Sequence, residues 1–295
     1  MNGPWSLTPL LDRMGAARHD PAAPARWWRD PRARLLVVDS AGRVSSDPFG
    51  CPTAEAPGRP GHDAQRDVLL GSVRREGNDE VWFARRGEVA AGHSLRDGSF
   101  EGARLELVTA ATAVLAWHDA CRFCERCGAP TEMAAGGFQR RCTGCGREIF
   151  PRTDPAMIVA VLDEKDRLLL GHQAAWAPGR VSILAGFLEA GESGEHAVVR
   201  EVREESGLEV TQARFLSSQP WPYPRSLMLG FVARAQGEIR VDQTEIAWAR
   251  WYSRDELTAA LADGLSLPGP GSIAGRIIAA WRAGELPPPE GALRI

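Results

Sequence analysis

Along the 295 residues the spacing of apolar and polar positions changes several times, and each change marks an element. Before residue 120 the apolar runs are short and strand-like: RLLVVD (34–39), DVLLGSV (67–73) and EVWFAR (80–85). FGCPTAEAPGRPGHD (49–63), rich in Pro and Gly, predicts a long loop between them. EGARLELVTAATAVLAWHDA (101–120) has helical spacing. Residues 1–120 therefore read as a small α+β domain without a chemical motif of its own. From 150 onward, MIVAVLD (157–163) and RLLLGHQ (167–173) flank the turn EKD as a hairpin would. RVSILAG (180–186), SLMLGFVARAQ (226–236) and AWARWYS (247–253) predict further strands. RDELTAALADG (254–264) and SIAGRIIAAWRAG (272–284) predict short helices ending at glycine. The expected fold is α/β, a mixed sheet between helices over 150–285, with a tail at 286–295.

Composition narrows the function. No apolar run reaches the ~20 residues that span a bilayer, so no membrane partner is expected. The start, MNGPWSLTPLLDRMG, lacks a basic segment followed by an apolar block, which predicts a cytoplasmic protein. The net charge is −3, and Lys165 is the only lysine among mostly arginine cations. A long nucleic-acid backbone footprint needs a basic excess, which is missing. Recognition of a nucleotide end remains compatible with this balance.

Six cysteines stand at 51, 121, 124, 127, 142 and 145. CERCG (124–128) and CTGCG (142–146) are matched C-x-x-C-G knuckles, which suits a Cys₄ zinc ribbon over 121–149. Cys121 forms a competing C-x-x-C with Cys124, but only Cys124, Cys127, Cys142 and Cys145 give two matched knuckles. Four protein ligands leave no open position, so this zinc is expected to be structural, one per chain. Cys51 reads as a buried or loop thiol.

GFLEAGESGEHAVVREVREESGL (186–208) carries the chemistry. Ser193 can cap a helix and Gly207 can end it. Within that helix Glu201, Glu204 and Glu205 share one face, where like charges repel unless a cation intervenes. A solvated acidic face is the bland reading. Gly186, Gly191 and Gly194, a flexible loop in front of the acids, favour a hard divalent cation that can bridge to phosphates. The segment resembles the Nudix box, with Gly186, Glu192, Arg200, Glu201, Glu204, Glu205 and Gly207 at its fixed positions and Val202 and Leu208 at apolar ones. Nudix hydrolases cleave nucleoside diphosphates linked to a further group, using divalent metals.

SQPWPYPRSLM (218–228) is unusual, since prolines at 220, 222 and 224 alternate with Trp221 and Tyr223. Proline is poor material for the middle of a sheet but holds rings in an extended arrangement. The stretch resembles the signature of the NADH pyrophosphatase subfamily, which also carries a Cys₄ ribbon just before its Nudix domain. That resemblance implies attack of water on the diphosphate of NADH or NAD⁺, giving nicotinamide mononucleotide and AMP. It extends to RNA whose 5′ end is NAD, and it implies a homodimer. The implied Mg²⁺ or Mn²⁺ ligands are Glu201, Glu204, Glu205, the Ala185 carbonyl and Glu245. Glu205 serves either as ligand or as water-orienting base, while Arg200, paired with Glu192, orients the carboxylates. Implied substrate contacts are Gln219, Pro220, Trp221, Pro222, Tyr223, Pro224, Arg225 and Ser226, the backbone at Ala274, the rings of Phe187 and Phe150, and Arg96. Trp221 could equally fill core. Two rival functions are a diphosphatase for another nucleotide such as ADP-ribose and a regulator that binds a nucleotide without cleaving it. The repelling acids argue against the regulator.

Overall fold

The computed structural model describes residues 8–44, 61–75, 77–98, 100–241 and 243–290. Cys51 and most of the 49–63 loop lie outside these. Two compact units emerge: Asn2–Thr153 with the short Trp221–Arg225, and Asp154–Pro220 with Ser226–Ile295. The N-terminal layer and the cysteine ribbon thus cluster as one unit.

In this first unit the strands are β1 (Leu11–Asp12), β2 (Arg34–Val38), β3 (Val68–Arg75) and β4 (Asn78–Arg86). Its helices are α1 (Gly15–His19), α2 (Ala23–Trp28) and α3 (Gly102–Ala120). The sheet order is β1-β3-β4-β2, with β2 parallel to β4 and the other pairs antiparallel. Strand alternation sends Trp82 and Ala84 to the core shared with α3, and Val81 and Phe83 to the other face beside Trp28. The ribbon is an antiparallel sheet of β5 (Thr131–Ala134), β6 (Gln139–Cys142) and β7 (Glu148–Ile149).

The second unit contains β8 (Asp154–Leu162), β9 (Leu168–Gln173), β10 (Leu184–Phe187), α4 (Gly194–Ser206), β11 (Glu209–Trp221), β12 (Ser226–Gln236), β13 (Ile246–Tyr252), α5 (Arg254–Ala262) and α6 (Ile273–Arg282). Its sheet runs β11-β12-β8-β9-β13, with β10 also paired to β8. Because β12 runs parallel to β8 and β10 antiparallel, the sheet is mixed. β8 is apolar at every position from 156 to 162 because it is covered on both sides. Met157, Val159 and Val161 pack with Ala197, Val198 and Val202 of α4. Ile158, Ala160 and Leu162 pack with Leu257 of α5 and Ile277, Ile278 and Trp281 of α6. This is the α/β/α sandwich.

Two elements differ from expectation. The predicted hairpin pairs only at Leu162 and Leu168, after which β8 and β9 separate. The chain after residue 180 fills the gap: Ser182 bridges Gly171 of β9, and only Leu184–Phe187 forms a regular strand on β8. The second difference is β11, a 13-residue edge strand with no strong sequence signal. Its last residues are Pro220 and Trp221, a place where proline costs no ladder bond in the sheet interior. The described part of the C-terminal tail is tied down, since Arg234 pairs with Glu290 and Arg214 donates to the Pro288 carbonyl. No described helix is long and apolar enough to cross a membrane.

Candidate active site and metal centres

Helix α4 begins where the Ser193 hydroxyl accepts from the His196 N–H at 3.2 Å. It ends at Gly207, left-handed at φ 71°, whose N–H donates to the Arg203 carbonyl at 2.8 Å. Between these caps the helical period turns Val198 and Val202 into the core and lays Glu201 and Glu205 along the edge of that face. Both carboxylates are buried, 8% and 4% exposed, whereas the Glu204 side chain is 59% exposed.

Arg200 organises the acids. Its Nε and one Nη fork onto Glu192 at 2.9 and 2.8 Å. The other Nη donates to Glu201 at 2.8 Å and Glu204 at 3.1 Å, and a further bond reaches the Phe187 carbonyl at 2.9 Å. The guanidinium draws the Glu192 carboxyl down to about 2. Glu201 moves the other way: burial pushes its pKa up, Arg200 opposes this, and Glu204 and Glu245 add to the rise. Glu245, exposed just ahead of β13, is thus close enough to act on Glu201.

The backbone beside Glu201 is shaped for a carboxylate. A Cβ on Gly186 would lie 2.0 Å from the Glu201 Cδ. Ala185, next to that glycine, lines a small cavity of about 80 Å³ together with Glu205, Gln173, Trp176 and Ser182. The buried carboxylates of Glu201 and Glu205, beside a strand that offers backbone carbonyls, have the all-oxygen chemistry of a hard divalent cation, but among the described residues the acids are not drawn together into a group of three or more whose ligand atoms already meet.

The ribbon places Cys124, Cys127, Cys142 and Cys145 with their sulfur atoms all within 4.8 Å of one another. The Cys124–Cys145 and Cys127–Cys142 separations are 3.9 and 3.4 Å. A tetrahedron with zinc–sulfur bonds of about 2.3 Å has edges of about 3.8 Å, so the four fit zinc. Cys121 is outside the cluster; its carbonyl accepts from the Thr131 hydroxyl at 2.8 Å.

The residues of the proline-rich stretch separate into different environments. Gln219 is buried, and both ends of its amide are engaged by backbone: Nε2 donates to the Gly271 carbonyl at 2.9 Å and Oε1 accepts from the Ile273 N–H at 2.6 Å. It fastens β11 to the start of α6, where Ala274 is also buried. Pro220 and Pro224 are exposed, while Pro222 and Ser226 are buried. Arg225 is partly exposed. Trp221 and Tyr223 meet edge-on at 5.3 Å. Tyr223 packs against the α3 core, with the Arg96 guanidinium 4.3 Å from the centre of its ring. Phe187 ends β10 and is 59% exposed, and Phe150 in the first unit is 54% exposed. Sequence reasoning missed Gln173, Trp176 and Ser182, the neighbours of Glu205. Their only sequence signal is the alternation of the strand-like runs that carry Gln173 and Ser182.

Residues 152–268 match the NUDIX domain family, and residues 120–150 match the NADH pyrophosphatase zinc ribbon domain. A relative named NAD-capped RNA hydrolase NudC, from Mycobacterium bovis (strain BCG / Pasteur 1173P2), is 42% identical over 94% of this chain and 96% of its own. The NAD-capped RNA hydrolase NUDT12 of Homo sapiens is 40% identical over 59% of this chain and 41% of its own. A solved NUDIX hydrolase from Nitrosomonas europaea is 20% identical, with a TM-score of 0.38 over 46% of this chain and 79% of that one. With the box glutamates gathered on α4 and a relative matching nearly end to end, the chain belongs to the Nudix hydrolases, in the branch that carries an NADH pyrophosphatase zinc ribbon.

Proposed function

We propose that the protein hydrolyses the diphosphate of NADH and NAD⁺ to nicotinamide mononucleotide and AMP, and removes NAD caps from RNA 5′ ends. The observation that carries this reading is the buried Glu201–Glu205 face against Gly186, in a chain that aligns almost throughout with a NAD-capped RNA hydrolase. Glu201, Glu204, Glu205, the Ala185 carbonyl and Glu245 hold the divalent ion, Mg²⁺ or Mn²⁺. When bound, the ion offsets phosphate charge and makes water more acidic. Arg200, anchored by Glu192, fixes the Glu201 carboxylate. Glu205 takes the proton of the attacking water. Phe187, Phe150 and the segment Gln219–Ser226, with Arg96 and the backbone at Ala274, bind the nucleotide halves. Gln219 acts here through the 271–273 backbone that it holds. The enzyme works as a homodimer in the cytoplasm.

The test is incubation of the full chain with NADH, NAD⁺, ADP-ribose and NAD-capped RNA under Mg²⁺ or Mn²⁺. Release of nicotinamide mononucleotide from NADH, NAD⁺ or the capped RNA, faster than turnover of ADP-ribose, is expected. ADP-ribose turned over best, with the NAD compounds intact, would move the substrate to another nucleotide. Binding without turnover of any would leave only a regulator.

A further inference from the structure

The cavity at Glu205 contains two polar side chains that the roles above do not use. Sheet register decides which residues enter it. Leu169 of β9 and Leu184 of β10 belong to the core under α4, while Leu170, Val181 and Ile183 belong to the opposite core. Alternation then turns Gln173 and Ser182 to the α4 side, where Glu205 lies. Gly171, opposite Ser182 in the bridge, adds no side chain that would fill the space. Ser182 is nine-tenths buried. Among the described residues, neither its hydroxyl nor the Gln173 amide has a hydrogen-bond partner. The indole of Trp176 forms another wall.

The size is informative. About 80 Å³ holds a few waters, since one needs about 10–15 Å³, and lies far below the roughly 300 Å³ of a small-molecule pocket. An amide and a hydroxyl facing such a space beside a carboxylate are suited to gripping water.

We propose that Gln173 and Ser182 are positioning residues that hold the attacking water against Glu205. The inference rests on the reading above, in which Glu205 takes that water's proton. In the step, the water oxygen forms the new P–O bond while one proton passes to the Glu205 carboxylate. The bridging P–O bond breaks, and its electron pair leaves with the departing phosphate. Gln173 and Ser182 hold the second hydrogen and so fix which lone pair faces phosphorus.

Gln173→Ala, Ser182→Ala, Ser182→Thr and Glu205→Gln would be compared on NADH. The alanine variants are expected to lose about 10- to 100-fold in kcat, the scale of a misplaced reacting atom, with KM within about twofold. Ser182→Thr, which keeps the hydroxyl, should recover most of the loss. Melting temperature, and Mn²⁺ affinity titrated on the substrate-free protein, should stay near wild type. Unchanged kcat, a rise in KM alone, or Mn²⁺ affinity falling in step with kcat would each overturn the proposal. A dead Glu205→Gln beside normal alanine variants removes only this proposal. A fully active Glu205→Gln removes the proposed roles in the site as well.

Discussion

A methyl group at Gly186 would lie 2.0 Å from the Glu201 Cδ, so the carboxylate and the glycine occupy their places together. Gly186→Ala should displace Glu201 and lower kcat about 10- to 100-fold, while the far-ultraviolet circular dichroism stays native. Loss of helix in that variant would instead make the contact a folding requirement. Glu205→Gln keeps size but removes charge, and steady-state kinetics on NADH should show kcat lower by roughly 100-fold or more. At this scale the box acids were legible because helical spacing is a local property: positions i, i+3 and i+4 share a face wherever the helix packs. Gln173 and Ser182 were not, because they meet through a bridge between Gly171 and Ser182 that no short window records.

Elements were legible in proportion to their burial. β12 coincides with SLMLGFVARAQ, and α6 with the core of SIAGRIIAAWRAG, since each buries a regular apolar face. β11 left little pattern because Arg214, Phe215, Ser217 and Ser218 of this edge strand are all exposed. Its prolines suggested a preorganised substrate segment. The structure adds a second task, since the Gln219 amide satisfies two backbone groups at the start of α6. Gln219→Ala should therefore lower stability by about 1–3 kcal/mol in denaturant unfolding, the cost of orphaned buried groups, and also raise KM for NADH. A raised KM with stability unchanged would return Gln219 to direct substrate contact.

The whole chain joins Nudix chemistry to a scaffold that carries a Cys₄ cluster of zinc-ribbon geometry. The Cys₄ spacing was legible down to the choice of Cys127 over Cys121 as the partner of Cys124, because a tetrahedral site fixes ligand number and spacing. Cys142→Ser should lower zinc content and melting temperature together, as binding and folding are coupled. Elemental analysis showing a folded wild type without zinc would contradict this. Less legible was the polar link from α3 to the ribbon. The buried His118 donates from Nε2 to the Gly137 carbonyl at 2.7 Å and accepts at Nδ1 from Arg140 at 2.9 Å. Burial first, with Arg140 assisting, brings its pKa down to about 4. The unfolded chain, near its ordinary value of about 6.5, takes the proton first as pH falls. This part of the stability is whole above about 6.5, declines toward about 4 and amounts to at most about 3 kcal/mol. Melting curves of His118→Gln should fall less than wild type across that window.

Arg200 gives the acidic helix an internal counter-ion, joined to Glu192, Glu201 and Glu204. The two metals then differ in tenure. Zinc is part of the fabric, and its removal should unravel the ribbon. The acids of α4 have a counter-ion within the protein in Arg200, so a mild chelator should silence the enzyme without melting α4. Returning the ion should restore turnover as quickly as it diffuses in, with no refolding delay.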